Sequence, residues 1–288
     1  MTLIKNDEPM YRHTTFRIGG PARLFLLPES ERELASLLDE YPDAFILGGG
    51  SNLLVSDEGL DTVISLKRLN SISHKKTSDE ISLVTAQAGL GLTALARRVR
   101  RMGLRGLEFA FGIPGTVGGA VVMNAGGFGG EVRNTLESAR LLIKGRFKKF
   151  GVEKLGLAYR SNNLPEGAVV VSATFRLETG DKDAIYSRMK EIFEQRQKKQ
   201  PLDNPSAGSI FKNPPGKFAG KIIEDMGFKG MRIGEAQVSG IHANFIVNRG
   251  KATAKQVAEL IEKLESEAVE KTNIKFQREI KFAGRFHL

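Results

Sequence analysis

Ala44-Phe45-Ile46-Leu47-Gly48-Gly49-Gly50-Ser51-Asn52 is the stretch on which the reading of this chain turns. Ala44 to Leu47 predicts a short buried strand, and it breaks at once into three glycines and two small polar residues. An ordinary strand-to-loop turn needs one glycine. Three in succession let consecutive backbone N–H groups converge on an anion, a nest suited to a pyrophosphate. Just upstream, Ser30 and Glu33 form a capping-box signature before Leu34, Leu37, Leu38 and Tyr41, which predicts a helix over 31–41. Thr62 to Leu66 predicts a further strand, so Glu29 to Leu66 reads as one small α/β unit.

A second glycine-rich loop runs from Gly112-Ile113-Pro114-Gly115-Thr116-Val117-Gly118-Gly119-Ala120 into Met123-Asn124-Ala125-Gly126 and leaves space for a large, flat ligand. With 32 glycines in 288 residues the chain holds about 11% where ~7% is usual, and they concentrate in such loops. Gly89-Leu90-Gly91-Leu92-Thr93-Ala94 also fits a relaxed dinucleotide fingerprint, GxGxxA, between a strand and a helix. The first turn of a Rossmann domain sits near a domain start, whereas 88 residues precede this one; the competing reading is a tight turn into an Arg-rich helix. No glycine loop ends in Gly-Lys-Ser/Thr, so a P-loop is excluded.

Working outward, Ile81 to Gln87 predicts a strand and Leu92 to Met102 a helix carrying Arg97, Arg98, Arg100 and Arg101. Strands follow near 136–144, 146–150 and 168–177, then a helix from about 181 to 199 with Ile185, Met189, Ile192 and Phe193 on one face. The stretch 201–205, with its Pro and Asn residues, is the best domain boundary. Beyond it come a short helix over 217–226, a strand over 244–248 and a helix from the Thr253/Gln256 capping box to about Lys271. Phe276 to Phe282 alternates apolar and polar residues and predicts a last strand.

The length predicts about two domains, with three small ones possible, and 41% hydrophobic with 26% charged residues describes a folded soluble chain. A net charge of +10 points to anionic partners: nucleic acid, phosphorylated metabolites or acidic lipid. The absence of cysteine excludes disulfides, thiolate nucleophiles, cysteine-ligated metal and cysteinyl flavin. The four histidines, His13, His74, His242 and His287, include no i,i+4 pair, and no metal site is expected. The amino terminus carries no signal-peptide pattern, and the uncharged run Phe109 to Gly130 reads as folded loop because of its glycines and Pro114; a cytoplasmic protein is expected.

Taken in order, five segments carry a resemblance. They are Thr15-Phe16-Arg17-Ile18-Gly19-Gly20-Pro21-Ala22, Leu47 to Leu54, Gly112 to Gly119 with Asn124-Ala125-Gly126, Tyr159-Arg160, and Ser206-Ala207-Gly208-Ser209-Ile210-Phe211-Lys212-Asn213-Pro214. Together they resemble the UDP-N-acetylenolpyruvoylglucosamine reductase (MurB) family of peptidoglycan precursor synthesis, over nearly the whole chain. The resemblance implies an α+β flavoprotein: a two-lobed FAD-binding fold of the vanillyl-alcohol-oxidase type followed by a C-terminal α+β substrate domain. The expected division is 1–70 with 275–288, 71–202 and 203–274.

Non-covalent FAD is implied, its pyrophosphate held around Leu47, Gly48, Gly49, Gly50, Ser51 and Asn52. Gly112, Pro114, Gly115, Thr116, Gly118, Gly119, Ala120, Asn124, Ala125 and Gly126 would line it, and the Gly89 pattern becomes a structural turn. The reaction implied is reduction of the enolpyruvyl ether of UDP-N-acetylglucosamine to UDP-N-acetylmuramate. NADPH reduces the flavin, and hydride from flavin N5 adds to the terminal vinyl carbon of the substrate.

Arg160 matches the arginine that pairs with the substrate carboxylate and developing enolate, a role suited to a planar, permanently charged fork. Ser209 matches the acid that protonates C2, and Glu279 the glutamate that completes the site. Tyr159, Arg196, Lys199, Lys212, Asn213, His242 and Asn244 are expected at the substrate, with the cations near its diphosphate and the nicotinamide cofactor. Arg196 and Lys199 have a plainer reading as cations complementing a helix C-terminus.

The ~50 residues between Arg160 and Ser209 carry no inserted lid, which fits the shorter subtype, and Ala158 stands where the family often has glycine. A monomer is expected, with no nucleic-acid or membrane partner. The competing class is a basic nucleic-acid-binding protein using Arg97–Arg105 and Lys144–Lys149 as a phosphate track, but no Trp and only four Tyr are available to interleave with bases.

Overall fold

A computed structural model describes residues 1–287. The chain forms two compact units. One comprises residues 1–5, 25–49 and 62–196; the other comprises 6–24, 50–61 and everything from Gln197 on.

In the first unit, helix α1 (Glu31–Glu40) precedes strand Phe45–Leu47, which pairs in parallel with Val63, Ile64 and Ser65. The Ser30 hydroxyl accepts from the Glu33 N–H at 3.1 Å, as a cap should. The reciprocal half of the expected capping box is absent: the Glu33 carboxylate accepts instead from the Glu29 N–H at 3.0 Å and the Thr2 hydroxyl at 2.8 Å. The larger sheet is antiparallel, in the order Arg146–Gly151, Leu136–Ile143, Val169–Thr179, Ile81–Gln87, Ile72–Lys76, with Leu104–Arg105 added at the end of Val169–Thr179. Strict period-two burial along Ile81–Gln87 turns Ser82, Val84 and Ala86 inward.

That inner face packs on α2 (Leu92–Arg101), α3 (Val117–Val122) and α4 (Lys182–Lys199). Leu95, Val99, Val117, Val121, Ile185 and Met189 meet Ala139, Leu141, Ala173 and Phe175 in one core. Each such large side chain contributes about 1.5–3 kcal/mol over leaving it exposed. Phe109 to Gly130 is folded loop around α3 and two two-residue strands, and no helix among the described residues is long and apolar enough to cross a membrane.

The second unit holds an antiparallel sheet in the order Ser206–Ser209, Phe245–Asn248, Ala236–Val238, Arg232–Ile233, covered by α5 (Ala219–Asp225) and α6 (Ala254–Thr272). Ile210, Phe211, Ile223, Ile246, Val257, Ile261 and Leu264 are its core. The Thr253/Gln256 capping box is complete, and Asp57 adds a second cap by accepting from the Ala254 and Lys255 N–H groups at 2.8 and 3.0 Å.

The expected strand over 276–282 is not continuous. Arg278 makes a single bridge to Phe211, and only Lys281–Ala283 is a strand, parallel to Leu53–Val55. Between them the Glu279 and Ile280 N–H groups converge on one acceptor, the Ile210 carbonyl, at 2.7 and 3.3 Å. The segment therefore bends from one partner to the next, which apolar/polar alternation cannot register.

Candidate functional site

In the first unit the two glycine loops meet. A β-carbon on Gly48 would lie 2.8 Å from the Thr116 hydroxyl, and one on Gly49 would lie 2.5 Å from Gly115 Cα. Only glycine allows these backbones to approach so closely. The Thr116 hydroxyl is buried without a hydrogen-bond partner among the described residues, an arrangement that costs about 1–3 kcal/mol unless a ligand satisfies it.

The loop is braced from behind: the Thr93 hydroxyl accepts from Gly112 N–H and donates to Ile113 O, both at 3.1 Å. Leu92, Val117 and Gly118 N–H groups bond Gly115, Leu90 and Ala88 carbonyls. Gly118 is thus buried against Ala88. Gly89 sits hard against Leu66 O, so the GxGxxA turn closes on protein backbone. A cradle of bare backbone with an unspent buried hydroxyl fits a phosphate-bearing flavin nucleotide.

Ala158 and Ser161 close a tight turn through reciprocal backbone bonds of 3.1 and 3.2 Å, with Tyr159 and Arg160 at its tip. Arg160 takes φ +50°, a left-handed conformation rare for a long side chain. Its Nη1 donates to Asn124 O at 3.2 Å and Nη2 to Gly126 O at 2.8 Å, while Tyr159 is exposed and its ring centroid lies 5.3 Å from the guanidinium carbon.

Arg196, in the last turn of α4, is 6% exposed, and its guanidinium lies 4.9 Å from the Phe128 ring centroid. Burial pulls its pKa down to about 10, still fully charged at neutral pH. Its side chain packs against Gly112, which makes it part of the glycine loops rather than a solvated helix-end cation. Lys199 is exposed.

The second unit gathers Ser209 and Glu279. Ser209 ends the strand paired with Phe245, and Glu279 N–H bonds the carbonyl of Ile210, the residue after Ser209. Asn52 fixes the same segment, its Nδ2 donating to Glu279 O at 2.9 Å and its own carbonyl accepting from Lys281 N–H at 3.0 Å. Gly50 packs on His13 and Thr14, and Ser51 is half-buried beside it. Lys212 is half-buried, and its N–H bonds Gln277 O. Asn213 accepts from Ala219 N–H at 3.0 Å and so caps α5.

The model for the FAD binding domain matches residues 22–145, and that for the UDP-N-acetylenolpyruvoylglucosamine reductase C-terminal domain matches residues 200–283. The UDP-N-acetylenolpyruvoylglucosamine reductase of Clostridium novyi (strain NT) is 43% identical over 98% of this chain and 92% of its own length. That of Alkaliphilus oremlandii (strain OhILAs) is 41% identical over 98% and 94%. The crystal structure of the Thermus caldophilus UDP-N-acetylenolpyruvylglucosamine reductase superposes with a TM-score of 0.83 at 35% identity, covering 99% of both chains. The chain belongs to the UDP-N-acetylenolpyruvoylglucosamine reductase family. As a member of that reductase family it is an FAD-dependent oxidoreductase with the α+β architecture expected from its motifs.

Within each unit of this reductase-family chain several side chains have partners that the sequence did not indicate. Asn244, expected at the substrate, is buried, and its carboxamide accepts from Phe211 N–H at 3.0 Å and donates to Phe211 O at 2.7 Å. His242 accepts at Nδ1 from Asn244 N–H at 3.2 Å and meets Phe245 edge-on, and burial lowers its pKa. Thr93 braces the Gly112 loop in the first unit; in the second, Asp57 caps α6 and Arg278 pairs with Glu265 through two bonds of 2.6 Å. None of these was legible beforehand. Their partners lie 13 to about 200 residues away, and no local spacing marks such a pair.

Proposed function

We propose that this protein catalyses the NADPH-dependent, FAD-mediated reduction of UDP-N-acetyl-3-O-(1-carboxyvinyl)-glucosamine to UDP-N-acetylmuramate. The observation that carries the reading is the glycine cradle of Gly48, Gly49 and Gly115 around the unspent Thr116 hydroxyl, in a chain whose relatives bear this reductase's name. These residues, with the backbone of the 112–126 loop, would hold FAD, which supplies two-electron hydride chemistry when bound. Arg160, oriented by two backbone carbonyls, binds the substrate carboxylate and stabilises the negative charge that grows there as hydride reaches the terminal vinyl carbon. Ser209 delivers a proton to C2, and Glu279, tied to the Ser209 strand through Ile210, completes the enolate's surroundings. Hydride and proton together reduce the double bond.

Arg196, Lys199 and Lys212 supply positive charge for the phosphates of substrate and NADPH, with Tyr159, Asn213 and His242 at the same ligands. The working division of the chain is an FAD lobe of 1–70 with 275–288, a second FAD lobe of 71–202 and a substrate domain of 203–274. The protein acts in the cytoplasm, where these nucleotide substrates occur, and as a monomer. Anaerobic stopped-flow at the flavin band tests the reading. NADPH should bleach the holoenzyme and the enolpyruvyl substrate should restore its colour; bleaching that only oxygen reverses overturns it.

A further inference from the structure

Asn124 sits in the left-handed region at φ +40°, fully buried, directly after α3 and its capping residue Met123. Its carboxamide is committed to protein at both ends. Nδ2 donates to Ala158 O and to Glu131 Oε2, both at 3.1 Å, and Oδ1 accepts from Arg133 N–H at 3.0 Å. Its main-chain carbonyl is the acceptor for Arg160 Nη1. One residue therefore grips the base of the Tyr159–Arg160 turn through Ala158 and the head of Arg160 through its own backbone. The turn itself is exposed at Tyr159 and is also tied to α3 by Asn162, whose Nδ2 donates to Val122 O at 2.7 Å.

We propose that Asn124 is the positioning residue for Arg160, setting the guanidinium's place over the substrate carboxylate rather than serving the cofactor with its side chain. The inference rests on the reading of Arg160 given above. A guanidinium on four rotatable bonds must be held from both ends to meet a carboxylate in two parallel hydrogen bonds. The left-handed backbone at Asn124 is what turns its carbonyl toward Arg160 while the carboxamide reaches Ala158.

Asn124→Gly tests this directly, because glycine adopts φ +40° freely and keeps the carbonyl while deleting only the carboxamide. Asn124→Asp is the second variant; it keeps the volume and the Oδ1 acceptor but sets an oxygen against Ala158 O and Glu131. In the holoenzyme, Asn124→Gly should retain FAD, measured by flavin absorbance per protein, and be bleached by NADPH within about twofold of wild type. Substrate-driven reoxidation should slow by ~10- to 100-fold, the scale of a misplacement near 1 Å. Titration calorimetry on the oxidised holoenzyme should show weaker binding of the enolpyruvyl substrate. Asn124→Asp should follow the same split.

In an Arg160→Ala background, Asn124→Gly should change reoxidation less than about twofold, since its effect runs through Arg160. If Arg160→Ala leaves reoxidation intact, the role of Arg160 falls and this inference with it. If Arg160→Ala is impaired and Asn124→Gly is not, or the two effects multiply, or FAD retention and NADPH bleaching fall equally, the positioning role alone is overturned.

Discussion

Asn244→Ala removes a carboxamide that satisfies both main-chain groups of Phe211, a residue only 1% exposed. A methyl group leaves the Phe211 N–H and C=O buried without those partners, at about 1–3 kcal/mol each, so the protein should lose roughly 2–6 kcal/mol. For a chain of this size that is a fall of roughly 3–10 °C in Tm. Thermal unfolding followed by circular dichroism measures it, with substrate KM taken alongside. Asn244→Asp keeps the acceptor for Phe211 N–H, loses the donor to Phe211 O and buries a charge, so its loss should be at least as large. A Tm within about 1 °C of wild type together with a raised KM would refute the reasoning, because it would make Asn244 a ligand contact and not a brace of the Ser209 strand.

Gly49→Ala should expel FAD more completely than Gly48→Ala, because its β-carbon would meet Gly115 backbone 2.5 Å away rather than a side-chain hydroxyl; flavin content after purification decides the order. Thr116→Val should leave apoprotein stability unchanged or slightly higher, since its hydroxyl has no partner among the described residues, yet weaken FAD binding by about tenfold, read by flavin fluorescence titration. His242 is held below its ordinary pKa of 6.5 by burial, so the unfolded chain binds a proton more readily than the folded one. Its contribution is intact above about pH 6.5 and is lost as pH falls through the folded value. Melting curves between pH 8 and pH 5 should therefore drop less steeply for His242→Gln than for wild type.

Local chemistry determined much of this protein. The strand ending at Leu47 and the α6 capping box depend on residues a few positions apart, and their patterns survive in the linear chain. The triple glycine reads in sequence as an anion nest and the Gly112 loop as space for a flat ligand, because removing side chains is itself a sequence feature. Tertiary structure decided the rest. It broke the 276–282 strand, because two N–H groups share the carbonyl of Ile210, and it buried Arg196 among the glycine loops. It also turned the carboxamides of Asn124 and Asn244 inward, the first onto Ala158 O and the second onto the main chain of Phe211. An asparagine reads the same in sequence whether it faces a ligand or a carbonyl 33 residues away; only the fold supplies its partner, and with it the side chain's role.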